Sequence, residues 1–100
     1  MSNRNRNRGK SLERWVAKDL GGRRTGILGA EDVMVNGMAF ECKERAALPR
    51  FLVDSMIQAE RNAKGDMAIV ILHELSKDHG LDYVLLRYKN FKDILERLKK

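Results

Sequence analysis

At one hundred residues, 43% of them apolar, the chain has room for one small globular domain and none for a second catalytic or specificity domain. The longest apolar run, Met67 to Leu72, is far too short to cross a bilayer, and a single cysteine excludes an internal disulfide framework or an all-cysteine zinc cluster. The net charge of +6 falls wholly in residues 1–30, where Arg4, Arg6, Arg8, Lys10, Arg14, Lys18, Arg23 and Arg24 face only Glu13 and Asp19, an asymmetry that points to a polyanionic partner.

The polar N-terminus has no signal-peptide core, so the expected location is cytoplasmic, or the host cytoplasm for a viral protein. The NRNRNR repeat carries no apolar residue, and residues 1–8 are expected to form a flexible basic arm. Nucleic acid is its first candidate partner, with Arg4, Arg6, Arg8, Lys10, Arg23 and Arg24 as the phosphate contacts. A merely solubilising tail is the alternative. From Lys10 to Leu20 the apolar residues Leu12, Val16 and Leu20, with Trp15 beside them, predict a helix closed by Gly21-Gly22. Arg23 to Gly29 reads as a short, irregular strand.

Asn36-Gly37 stands between two alternating runs and predicts a type I′ hairpin over Asp32 to Cys42, since both central positions of that turn need φ > 0. The register then follows: Val35 opposes Met38, Met34 opposes Ala39, Val33 opposes Phe40, and Asp32 falls across from Glu41. Asp32, Met34, Ala39, Glu41 and Lys43 share one face; Val33, Val35, Met38, Phe40 and Cys42 share the other. On that apolar face Cys42 reads as a small buried hydrophobe. Pro49 opens a helix with the stripe Leu52, Val53, Met56, Ile57 and Ala63, stopped by Gly65. MAIVILH reads as a strand covered on both faces, and strand, crossover helix and strand make a right-handed parallel unit. Tyr83 to Tyr88 adds a strand, and Phe91, Ile94, Leu95 and Leu98 a last helix capped by Asn90. The expected class is α/β, with a mixed sheet flanked by helices.

The acids at the hairpin's open end carry the chemistry. Carboxylates directly opposed across a strand pair lie about 5 Å apart and repel by roughly 3 kcal/mol at an effective dielectric of 20. Screening by Lys43 at a wet strand end is one compensation. A divalent cation is the other, because a hard ion such as Mg²⁺ takes one or two carboxylates and keeps sites for water and phosphate. Two acids, a lysine and a metal are the parts required for phosphodiester hydrolysis. With seven Glu and nine Lys in the chain, Glu-x-Lys arises by chance about 0.6 times, so only the hairpin geometry, Glu13 and the basic leading segment give it weight.

Asp32, eight residues, then Glu41-Cys42-Lys43 resembles the D…(D/E)xK motif of the restriction-endonuclease-like nuclease superfamily, whose αβββαβ core order this chain follows. Gly9-Lys10-Ser11-Leu12-Glu13 resembles the G-x-x-x-E element of the archaeal-type Holliday junction resolvases. The likeness spans roughly residues 8 to 73, with Glu31 standing where a proline often precedes the hairpin acid. It implies a nuclease domain over residues 9–100 and a catalytic set of Glu13, Asp32, Glu41 and Lys43. The metal ligands would be Glu13, Asp32, Glu41 and the Cys42 carbonyl, and the cofactor Mg²⁺, with Mn²⁺ substituting. It also implies a homodimer. Gln58 falls where related nucleases often keep a glutamine beside the site; a surface role is the simpler reading.

His73 and His79 lack the close spacing of a zinc pair and read as loop residues. Trp15 and Tyr88 read as packing residues rather than base-stacking platforms. The expected activity is metal-dependent endonucleolytic cleavage of branched double-stranded DNA, most of all a four-way junction, with no membrane and no small-molecule substrate involved. A chain this short has little surface for reading bases, whereas a two-fold dimer can match a two-fold junction. A phage-type or repair nuclease acting on linear, nicked or flap DNA, and a non-catalytic DNA-binding module, are the alternatives.

Overall fold

In the computed structural model of the protein the described backbone covers residues 3–24 and 32–99, and the described side chains residues 11–22 and 33–99. Three helices and two small antiparallel sheets make an α/β protein. They fall into two compact units, Met1–Ala46 and Ala47–Lys100, with the boundary inside the segment expected as one nuclease domain.

The first unit is α1 (Asn3–Leu20), β1 (Arg23–Arg24), β2 (Asp32–Val35) and β3 (Met38–Glu41). The helix starts well before the apolar stripe that predicted it. Residues 3–8, expected as a flexible arm, belong to its backbone; with Asn at three of the six positions and Gly9 next, their own propensity is poor, and the helix extends through them by propagation from the apolar stripe. Its end is a Schellman closure: Gly21 takes φ +70, and the Gly22 amide donates to the Ala17 carbonyl at 2.8 Å. Gly22 is required for a second reason, since a Cβ there would lie 2.7 Å from the Met34 carbonyl oxygen and against the Val35 side chain. Tight passage of this residue lets β1 pair antiparallel with β2, Arg23 opposite Met34 and Arg24 opposite Val33. Of the strand expected over Arg23 to Gly29, only this pair lies within the described residues.

The core of the unit is Val16 and Ala17 of α1 on Val33 and Val35 of β2, with Leu12, Leu20, Phe40 and Cys42 packed around them. Val33 is completely buried. Helix spacing and strand alternation thus meet as the sequence predicts. Trp15 stands on the exposed side of α1 instead of packing in the core, because at about 100° per residue it falls outside the arc that Glu13, Val16, Ala17 and Leu20 share.

The second unit is α2 (Arg50–Ala63), β4 (Val70–Leu72), a 3₁₀ turn at His79–Leu81, β5 (Tyr83–Leu85) and α3 (Tyr88–Leu98). Pro49 is the residue before α2, where its carbonyl accepts from the Leu52 and Val53 amides, and α2 ends with Lys64 in the left-handed region followed by Gly65 at φ +98. Two expectations are corrected in this unit. The expected mixed sheet with a parallel crossover gives way to antiparallel pairing throughout the described residues, β1-β2-β3 in one sheet and β4-β5 in the other. A continuous apolar run does not by itself distinguish a central parallel strand from one that folds back on its sequence neighbour, and Ile69 and Ile71 are exposed where cover on both faces was expected. Helix α3 also begins at Tyr88, so Asn90 lies in its first turn and Arg87 takes the capping position with an extended backbone. Leu95 is buried while Leu98 is exposed. The α2 helix is tied to the start of α3 by a bidentate pair, Arg87 to Glu60 at 2.9 and 3.0 Å. No helix among the described residues is long and apolar enough to cross a membrane.

Candidate active site

The hairpin turn takes the conformation its two residues demand, with Asn36 at φ 48 and Gly37 at φ 78. The register is the one read from the sequence: Val35↔Met38, Met34↔Ala39, Val33↔Phe40 and Asp32↔Glu41. Asp32 and Glu41 therefore occupy directly opposed positions at the hairpin's open end. The side chain of Asp32 lies outside the described residues, and only its backbone pairing enters the geometry.

On β3 burial alternates, Met38 and Phe40 half-buried and Ala39 and Glu41 exposed. Since Phe40 and Cys42 pack with the α1 core, Glu41 projects to the face away from that helix. Lys43 lies on Glu41, Nζ to Oε1 3.3 Å, with the two side chains 77% and 68% exposed. An ion pair this open is heavily screened and adds little to stability. Glutamate and lysine are held together at a strand end with their polar atoms in solvent, the setting a charged substrate can reach.

Glu13 is placed differently. At 1% exposure it is, with Val33, one of the two fully buried large side chains among the described residues, on the α1 face that also carries Val16 and Ala17. Burying a carboxylate is costly unless donors or cations face it, so this position is set by more than helix patterning. Cys42 has its side chain in the packing around the core, which leaves its backbone carbonyl as the group the resemblance invokes.

Of the residues expected to contact DNA, Arg4, Arg6, Arg8 and Lys10 are in the α1 backbone and Arg23 and Arg24 form β1; all six side chains lie outside the described residues. Gln58 is an exposed residue of α2, in a shallow surface groove with Asp54, Ile57 and Arg61.

The structure also gathers residues that sequence reasoning left in a loop. His73 Nδ1 lies 2.6 Å from Asp82 Oδ1, His79 Nδ1 lies 3.1 Å from Asp82 Oδ2, and the two imidazoles stack with centroids 4.2 Å apart. Among the described residues this is the one group of three metal-ligating side chains with ligand atoms within 4.8 Å of one another. The signal for it was the register of the second sheet: Leu72 pairs with Tyr83, so one step outward sets His73 across from Asp82. A parallel-strand reading of 67–73 hides that pairing.

The Glu60–Arg87 pair shifts both partners. The hydrogen bond from Arg87, helped by its charge and that of Lys89, holds the Glu60 carboxyl below the ordinary carboxylate value, and Glu60 in turn raises Arg87.

Comparison of the chain with family models, curated proteins and solved structures gives no match.

Proposed function

We propose that the protein is a metal-dependent endodeoxyribonuclease acting as a homodimer on branched DNA in the manner of a Holliday junction resolvase. The observation that carries this reading is the hairpin register, Asp32 opposite Glu41, with the Lys43 ammonium 3.3 Å from the Glu41 carboxylate. Opposed acids at a strand end offer oxygen donors of the type that Mg²⁺ prefers, and the Cys42 carbonyl adds a third at the same strand end. Glu13, which the resemblance adds to the set, is buried on the core face of α1 while Glu41 projects to the hairpin's other face, so the proposal rests on the Asp32 and Glu41 positions.

Mg²⁺ held by these oxygens would polarise the scissile phosphate and lower the pKa of a bound water. The chain's own residues do the rest. Lys43 orients the attacking water and offsets negative charge on the phosphate as the water oxygen bonds to phosphorus and the bridging P–O bond breaks. Glu41 holds the Lys43 ammonium in place. The attacking water gives its proton up to solvent and the leaving oxygen takes one from solvent, an exchange open to a site whose Lys43 and Glu41 side chains are 77% and 68% exposed. Positive charge concentrated in residues 1–30 supports sequence-independent phosphate contact, and a two-fold pair of such chains suits a two-fold junction better than a base-read site.

The test is cleavage of a four-way junction, a flap and a linear duplex of shared sequence, each with Mg²⁺ and with EDTA. The reading expects Mg²⁺-dependent cutting with the junction preferred. Preference for flap or linear DNA would retain the chemistry and replace the substrate; tight DNA binding with no cutting in Mg²⁺ or Mn²⁺ would leave a non-catalytic binding module.

A further inference from the structure

The second unit holds a polar cluster for which the nuclease reading has no use. His73 directly follows β4 and Asp82 directly precedes β5, so the two face each other at the neck of the loop 73–82. The 3₁₀ turn at His79–Leu81 returns the chain so that the His79 ring lies over that of His73, 4.2 Å away and inclined by 26°. Asp82, only 13% exposed, accepts from both: one carboxylate oxygen per ring.

This arrangement fixes the tautomers. A carboxylate accepts hydrogen bonds, so each neutral ring carries its proton on Nδ1 and leaves a lone pair on Nε2. Each ring turns Nδ1 to one oxygen of the same carboxylate, so on both it is Nε2 that keeps the lone pair a metal ion can take. Carboxylates commonly hold metal-ligating imidazoles in this way, setting their orientation and raising their basicity. A simple clasp on the loop accounts for less. His73 alone would close the neck on Asp82, whereas His79 is 83% exposed, and a hydrogen bond in open water contributes little to holding a ring in a stack.

We propose that His73, His79 and Asp82 form a binding site for a divalent transition-metal ion of the zinc class. Imidazole nitrogen selects Zn²⁺, Co²⁺, Ni²⁺ or Cu²⁺ over Mg²⁺ and Ca²⁺, so the site differs from the hairpin carboxylates in the ion it takes. With the two imidazoles as ligands, Asp82 behind them as their shared hydrogen-bond partner and His79 in solvent, the coordination sphere keeps room for water.

The experiment titrates the full chain with Co²⁺, read by its visible spectrum, and with Zn²⁺ by displacement of the bound Co²⁺, both in excess Mg²⁺. One saturable equivalent is expected. Asp82→Asn should weaken binding about 10- to 100-fold, the range for losing the carboxylate partner of a ligating histidine. His79→Gln should weaken it by at least the same order; its side chain is exposed, so the fold persists, which circular dichroism checks. Glu41→Gln should leave Co²⁺ affinity unchanged. A wild-type chain with no saturable uptake up to about 1 mM metal, or a His79→Gln chain that binds like wild type, overturns the proposal, and neither result bears on Mg²⁺-dependent cleavage at the hairpin.

Discussion

Between β2 and β3 the chain reverses in two residues, Asn36 and Gly37, both at positive φ; between β4 and β5 it uses residues 73–82 and closes them with one carboxylate on two imidazoles. In the first case backbone conformation does the positioning, and the charged residues at the open end are delivered by register alone. In the second, side chains hold the loop, and the register matters only for its last pair. A site built by the first route can be read from residue types in order, while a site built by the second requires knowing which strand pairs with which.

The sharpest way to break the first route is at Gly22. An added methyl meets the Met34 carbonyl at 2.7 Å, backbone that cannot rotate away, so Gly22→Ala should destabilise the first unit by roughly 3 kcal/mol, the upper end of ordinary overpacking. Gly37→Ala is the matched control. Nothing lies within 4 Å of its Cβ position, and the cost is confined to forcing φ +78 on a residue with a side chain, about 1–2 kcal/mol. Denaturant midpoints of the two variants rank the effects. Equal losses would mean that the approach of Gly22 to β2 is not the constraint described.

The hairpin and its core were legible because every step was local: positive φ at Asn-Gly, period-2 alternation, and a helix stripe that matched Val33 and Val35. Glu13 was legible only as a member of a resemblance, since nothing in helix periodicity calls for a carboxylate at 1% exposure. The apolar run ending at His73 was misassigned for a physical reason. Its composition suits a strand covered on both faces, yet β4 pairs with the strand next in sequence and leaves Ile69 and Ile71 exposed. Without that pairing nothing in the sequence joins His73 to His79 or brings Asp82 to either. Asn90 was misread as a cap because Arg87, whose extended backbone precedes α3, has a side chain engaged with Glu60 and no capping sequence signature.

A smaller effect is expected at that last pair. The Glu60 carboxyl is held below its ordinary pKa, so its contribution is fully present above the unfolded-state value and is lost as pH falls through the lower folded-state value. The stability difference between wild type and Glu60→Gln should therefore be constant near neutrality and shrink below about pH 4.5, the ordinary carboxylate range. Both groups are solvent-exposed, which keeps the difference small and sensitive to salt. A difference that grows on acidification would reverse the assigned sign.

The central claim, that the opposed hairpin positions and Lys43 perform phosphodiester hydrolysis, is tested most directly by Lys43→Ala on one junction preparation, with binding titrated in Ca²⁺ and single-turnover cleavage followed in Mg²⁺. Lys43 is 77% exposed and outside the core, so the fold should be unaffected. Junction affinity should stay within a few-fold of wild type, because binding rests on charge distributed over residues 1–30, while the cleavage rate falls by about a hundredfold or more, the scale for losing one charge-stabilising group. A Lys43→Ala protein that cuts the junction at the wild-type rate would contradict the account.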